Sequence, residues 1–145
     1  MSVISPQKLY YPQSAVMFQR YATVVAGDVL LFSHDALQDF AHYIWQDNAA
    51  NGDSFAHPFY LAQGTYTLNV LGRTANNTGR LDWYIDGLKV VSLQDWYSVG
   101  TVSNVVKTAV VAVAGHGQHV LKGVVNGQNV ASSNYRIFLT AIALV

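Results

Sequence analysis

Residues 59–86, FYLAQGTYTLNVLGRTANNTGRLDWYID, decide the fold: apolar and polar residues alternate, a glycine-containing turn interrupts them, and the alternation resumes. A period of two is the pattern of a strand with one buried face. From Thr65 to Gly72 the residues Tyr66, Leu68 and Val70 share one face, while Thr65, Thr67 and Asn69 share the other. From Leu81 to Asp86 the apolar face is Leu81, Trp83 and Ile85. Asp86-Gly87 then supplies the two positive-φ residues of a tight hairpin, with Leu88 to Ser92 as the return strand.

Working outward, Val29 to Ser33, Phe40 to Gln46 and Phe55 to Leu61 read as earlier strands, and the intervening HDALQD as a short helical turn. Asn48 to Ser54 is a loop by its turn chemistry. Downstream, Val105 to Ala114 and Gln118 to Val125 are strands joined by Gly115-His116-Gly117, Asn126-Gly127 turns the chain, and Tyr135 to Val145 closes it. Eight to ten strands at short spacing, with no internal repeat, predict an all-β fold: a jelly-roll-like antiparallel β-sandwich. Residues 1–27 are expected to form an extended N-terminal arm and a first strand from Ala15 to Val25, with the sandwich domain over 28–145. Pro6 and Pro12 preset an extended path for the arm, and Tyr10, Tyr11 and Phe18 are its candidate anchors on a neighbour.

The chain of 145 residues is one domain's worth, and its 51% hydrophobic content against 11% charged residues predicts surface that meets another protein. Every acidic residue is Asp, while Val, Thr, Tyr and Trp abound, so strand formers outnumber strong helix formers. A net charge of zero removes the electrostatic argument for nucleic-acid binding, and no apolar run is long enough to span a membrane. Acidic charge gathers before residue 62 and basic charge after it, a weak dipole that favours docking of copies or partners. Without cysteine there are no disulfides or thiolate metal sites, and MSVISPQKLYY lacks the pattern of a signal peptide.

No constellation for catalysis, cofactor or metal binding stands out, and the reading is non-enzymatic. His116 and His119 lie three apart across a glycine turn, a spacing that does not converge two imidazoles, so a solvated turn is preferred to a metal site. His42 and His57 read as sheet residues among aromatics. Asp82, Asp86 and Asp95 invite comparison with paired glycosidase carboxylates, but Asp86 is explained by its hairpin and Asp82 by the polar face of its strand. Ser132-Ser133 lacks a nucleophile elbow, and Asn76-Asn77-Thr78 marks a surface turn. Trp83 is expected in the core. Trp96 and Tyr97, in a polar loop, are left open between packing under that loop and facing a ligand.

The closing strand carries Tyr135, Ile137 and Leu139 on one face and Phe138, Ile142 and Leu144 on the other, and Val110 to Val113 is apolar on both. A strand apolar on both sides needs two covers. One is the opposing sheet, and the second is expected to be another subunit, through Phe138, Ile142, Leu144 and Val111.

Several blocks in order, Gly64-Thr65-Tyr66-Thr67-Leu68, Gly79 to Gly87, Gln94-Asp95-Trp96-Tyr97-Ser98, Gly117 to Leu121 and Ala131 to Tyr135, make residues 55–145 resemble small trimeric jelly-roll structural domains of tailed bacteriophages. Such domains serve as capsid decoration or cement proteins and as tips of tail fibres. The resemblance implies a virion module, synthesised in the host cytoplasm, whose partners are its own copies and the major capsid protein. Because only about 55 residues precede the matching region, the cement role at the capsid surface is the leading expectation. Tyr10, Tyr11, Phe18 and Asp53 are then the expected capsid contacts. The alternative is a receptor-binding module of a tail or head fibre that recognises host carbohydrate.

Overall fold

The computed structural model describes residues 13–14, 22–35, 41–46 and 49–145. Eleven strands run through them: β1 Gln13–Ser14, β2 Thr23–Ala26, β3 Leu30–Asp35, β4 Ala41–Gln46, β5 Ser54–Leu61, β6 Gly64–Thr74, β7 Gly79–Ile85, β8 Leu88–Asp95, β9 Val102–Val113, β10 Gly117–Gln128 and β11 Phe138–Leu144. They form two antiparallel sheets, β3-β4-β11-β6-β9 with β1 added against β11, and β2-β5-β10-β7-β8. The chain is therefore an all-β sandwich of jelly-roll type, as its alternation predicts.

The inner faces carry the expected residues. Tyr66, Leu68 and Val70 of β6 meet Leu81, Trp83 and Ile85 of β7 in one core with Phe55, Phe59, Leu121 and Val125. Each fully buried large side chain contributes about 1.5–3 kcal/mol of transfer free energy. Gly123 in β10 leaves room for Phe55 and Trp83 to meet edge to face at 5.8 Å, since a β-carbon there would lie 2.6 Å from the Phe55 ring. The Asp86-Gly87 hairpin has the expected left-handed pair, with φ of 50° and 82°.

The closing strand departs from expectation. Leu139 pairs with Gly72 and Ala141 with Leu71, so Thr140 is an extra residue in β11. This bulge reverses the side-chain parity. Ile137 and Leu139 before it, and Ile142 and Leu144 after it, all enter the chain's own core. The expectation that Ile142 and Leu144 face another subunit is thereby corrected, since both are at most 1% exposed. Val111, opposite Tyr66 on the inner face of β9, is corrected in the same way. Phe138 does lie on the outer face, but it is buried there and covered by the Arg73 guanidinium 4.1 Å from its ring centroid. The apolar surface that β9 does expose is a stripe of Val102, Val106 and Val110.

The N-terminal expectation changes too. Gln13 and Ser14 pair with Ile142 and Ala141, and Thr23 and Val24 pair with Ala56 and Phe55, so two parts of the expected arm are strands of the chain's own sheets. Of the expected strand from Ala15 to Val25, Thr23 to Val25 lie in β2, Thr23–Ala26, and residues 15–21 lie outside the described residues. Tyr10, Tyr11 and Phe18, and the HDALQD turn from Ala36 on, lie outside the described residues.

Candidate functional site

Three connections meet at one end of the sandwich: 75–78 between β6 and β7, 96–101 between β8 and β9, and 129–137 between β10 and β11. Each leaves the strand ladders, so each satisfies its backbone on its neighbours. The Ser133 N–H donates to the Asn76 carbonyl at 2.9 Å, the Arg136 N–H to Asn77 at 3.2 Å and the Ser98 N–H to Ala75 at 3.1 Å. The Thr78 hydroxyl, fully buried, shares its proton between the carbonyls of Ala75 and Trp96, 2.9 and 2.7 Å away. Ser132, also buried, donates to the Thr78 carbonyl at 2.7 Å. These serine and threonine hydroxyls tie the loops to one another.

Asp95 is the charged hub of this end. Its Oδ1 accepts the Tyr97 N–H at 2.9 Å, and its Oδ2 accepts the Asn129 amide at 3.0 Å and Arg80 Nε at 3.4 Å. Burial pushes its carboxyl up, but Asn129, the Tyr97 N–H and Arg80 together bring it below the ordinary aspartate value. Around this hub Asn76 is exposed, and Asn77, Tyr97, Asn134, Tyr135 and Arg136 are partly exposed. Buried beneath them, Asn77 Oδ1 and Gln128 Oε1 have no hydrogen-bond partner among the described residues. The loops thus present amide, phenol and guanidinium groups on a fixed frame.

Trp96 and Tyr97 resolve in opposite directions. Trp96 is fully buried beside Gly72, with the Lys107 ammonium 5.9 Å from its ring centroid, so an outward Trp96 is corrected to a core residue. Tyr97, next along the extended chain, stays partly exposed. Asp53 is likewise corrected as a partner contact: it is 9% exposed, accepts the Ala50 N–H at 2.8 Å and packs against Gly27.

The other candidate groups do not converge. His119 is buried, with Nδ1 2.6 Å from Asp86 Oδ2 and Nε2 3.1 Å from the Gly115 carbonyl, which corrects its reading as part of a solvated turn. His116 instead accepts the Gln63 N–H at 3.1 Å. His57 is buried within β5, as expected of a sheet residue. The side chain of His42 lies outside the described residues. Asp82 is held on the outer face of the second sheet by Lys89 Nζ at 2.5 Å, the Leu93 N–H at 2.7 Å and the Asn126 amide at 2.8 Å. Asp82, Asp86 and Asp95 therefore serve three separate networks and make no catalytic pair. Among the described residues no three His, Asp, Glu or Cys side chains gather as metal ligands.

The sequence pointed to Tyr97 but missed Asp95, Ser132 and Asn134 as partners. The signal was present in Ser132-Ser133-Asn134, residue types that bond to nearby backbone, yet the two serines also reach the Thr78 and Asn76 carbonyls, over fifty residues away.

No family model matches the chain, and no curated protein matches it. Solved structures do. A Paenibacillus xanthan lyase superposes with a TM-score of 0.72 and 23% identity over 92% of this chain, which spans only 13% of that chain. A family 35 carbohydrate-binding module from Clostridium thermocellum superposes with a TM-score of 0.61 and 16% identity, covering 94% of this chain and 97% of that one. A family 36 carbohydrate-binding module, solved with calcium and xylotriose, covers 93% of this chain and 99% of its own at a TM-score of 0.55 and 13% identity. At these identities the likeness shows a shared sandwich fold.

Proposed function

We propose that this chain is a non-catalytic carbohydrate-recognition module that binds through the loop-bearing end of the sandwich. The observation that carries the reading is that three loops, cross-bonded through Thr78, Ser132 and Asp95, hold Asn76, Asn134, Tyr97, Tyr135 and Arg136 together at one end. A sugar hydroxyl both donates and accepts a hydrogen bond, and a carboxamide does the same with two donors and one acceptor oxygen. A phenol ring adds an apolar face with a polar tip, suited to one side of a sugar ring. Because the frame is cross-bonded before any ligand arrives, little ordering cost falls on binding. Coextensive fold neighbours that are carbohydrate-binding modules support the reading by analogy.

The reading agrees with the receptor-module alternative drawn from the sequence blocks, whose virion setting stays a proposal tested by imaging labelled particles. The homotrimer expectation, by contrast, leaned on a closing strand apolar on both faces. The bulge at Thr140 removes that premise.

The test is affinity electrophoresis of the purified chain in gels containing xylans, glucans and acidic polysaccharides. Retardation by at least one of them, abolished in Tyr97→Ala with unchanged circular dichroism, is the expected result. Equal mobility in every gel, or retardation that Tyr97→Ala leaves intact, overturns the assignment to this end.

A further inference from the structure

The chain contains two Asn-Gly steps, Asn51-Gly52 and Asn126-Gly127, and the fold sets them against each other. The Gly127 N–H donates to Asn51 Oδ1 at 2.7 Å. The Gly52 N–H donates to the Val125 carbonyl at 2.8 Å, and the Val125 N–H to the Asp53 carbonyl at the same distance. Both glycines have the positive φ that only this residue takes without strain, 95° at Gly52 and 75° at Gly127. The Asn126 side chain is engaged as well, its Nδ2 donating to Asp82 Oδ2 at 2.8 Å.

Asn-Gly is the dipeptide at which asparagine is least protected chemically. The backbone nitrogen of the glycine loses its proton and attacks the asparagine Cγ, forming a C–N bond, while the side-chain nitrogen leaves as ammonia. Water then opens the cyclic imide at one carbonyl or the other, giving aspartate or isoaspartate, with no oxidant or reductant involved. A missing side chain on the following residue removes the steric bar to this attack. A hydrogen bond from the attacking nitrogen restores a bar, because the proton that must be lost is held and the nitrogen points away from Cγ.

We propose that Asn126 is a latent deamidation site whose rate is governed by Asn51. The guard on the other step, Gly52, is a backbone carbonyl, present in any sequence. The guard on Gly127 is a side chain. Asn51 thus acts on Asn126 through the nitrogen that would attack it. The consequence of failure is local and electrostatic: a carboxylate formed at 126 exchanges a donor to Asp82 for a second anion against a residue that is 1% exposed. It breaks the cluster that holds Lys89 and the Leu93 N–H, and with it the bulged pairing of β8 on β7. An amide-to-acid change at one residue is transmitted to an edge strand.

The experiment incubates the folded chain, its Asn51→Ala variant and the urea-unfolded chain at mildly alkaline pH, and follows residue 126 by peptide mass mapping and enzymatic isoaspartate labelling. Loss of one hydrogen bond is expected to speed conversion at Asn126 in folded Asn51→Ala about fivefold, toward the unfolded rate, with Asn129 unchanged. Equal rates in the folded chain and folded Asn51→Ala overturn the proposal. Should Asn51→Ala fail to fold, amide exchange at Gly127 in the unmodified chain decides: slow exchange supports the guard, and exchange at the rate of an open amide overturns it.

Discussion

Replacing Asp82 by alanine tests whether the outer face of the second sheet is held by charge. The side chain is buried and accepts from the Leu93 N–H and the Asn126 amide, each worth about 1–1.5 kcal/mol when its acceptor is lost. Lys89 is 42% exposed and screened by water, so its ion pair is left out of the sum. The two bonds sum to a loss of roughly 2–3 kcal/mol at neutral pH, or about 4–12 °C in Tm for a domain of this size. Leu93 adds a reason for the site: its φ of 52° is uncommon for a residue with a side chain, and Asp82 holds the N–H that this conformation aims at it. Burial pushes the Asp82 carboxyl up, but Lys89, the Leu93 N–H and Asn126 bring it below its ordinary value. A carboxyl depressed in the folded state stabilises above its unfolded value, and the stabilisation is lost as pH falls through the folded value. Urea unfolding followed by the fluorescence of the buried Trp83 and Trp96 should therefore show a gap between the two proteins that is full at neutral pH and closes in acid, below the ordinary aspartate range. A gap under about 0.5 kcal/mol at neutral pH, or one that stays constant into acid while both proteins remain folded, refutes the reasoning.

Three further outcomes are expected. Ile142→Asp should cost about 3–5 kcal/mol by placing an unpaired charge in the core, so circular dichroism should report unfolding; a folded variant with altered sedimentation would restore an intersubunit role for this face. Gly123→Ala should cost about 1–3 kcal/mol because its β-carbon would lie 2.6 Å from Phe55 and 3.3 Å from Trp83, a loss that a thermal melt detects and that an unchanged melt denies. The His119 bond, offset in part by burial and aided by the Val120 N–H, holds the Asp86 carboxyl below its ordinary value. His119→Ala should raise the Asp86 midpoint measured by NMR, and an unmoved midpoint would show that His119 is not its cause.

The alternation of β6 and β7 and the Asp86-Gly87 turn were legible because period, turn chemistry and burial all act within a few residues. The trimer face was misread for a physical reason: counting by twos assumes an unbroken pleat, and Thr140 carries no mark of the extra residue that breaks it. Trp96 and Tyr97 could not be told apart by composition, since which of two adjacent aromatics turns inward depends on the space left by Gly72, over twenty residues earlier. The loop-end hub was hidden for the same reason. Asp95 meets Asn129 only because β8 and β10 both pair with β7.

The extra residue in β11 bears on how this sheet tolerates change in length. Thr140 lies outside the core cluster, and its buried Oγ1 has no hydrogen-bond partner among the described residues. Deleting it would restore a regular pleat, in which the Leu139–Gly72 pair is followed at once by Ala141–Leu71, and would leave Ile142 and Leu144 facing the core. Loss of that single codon would thus remove the bulge and its local twist while keeping both large core residues in place. A deletion at a regularly paired position of the strand is the costly one, because it alone would turn Ile142 and Leu144 out to solvent and leave an adhesive chain.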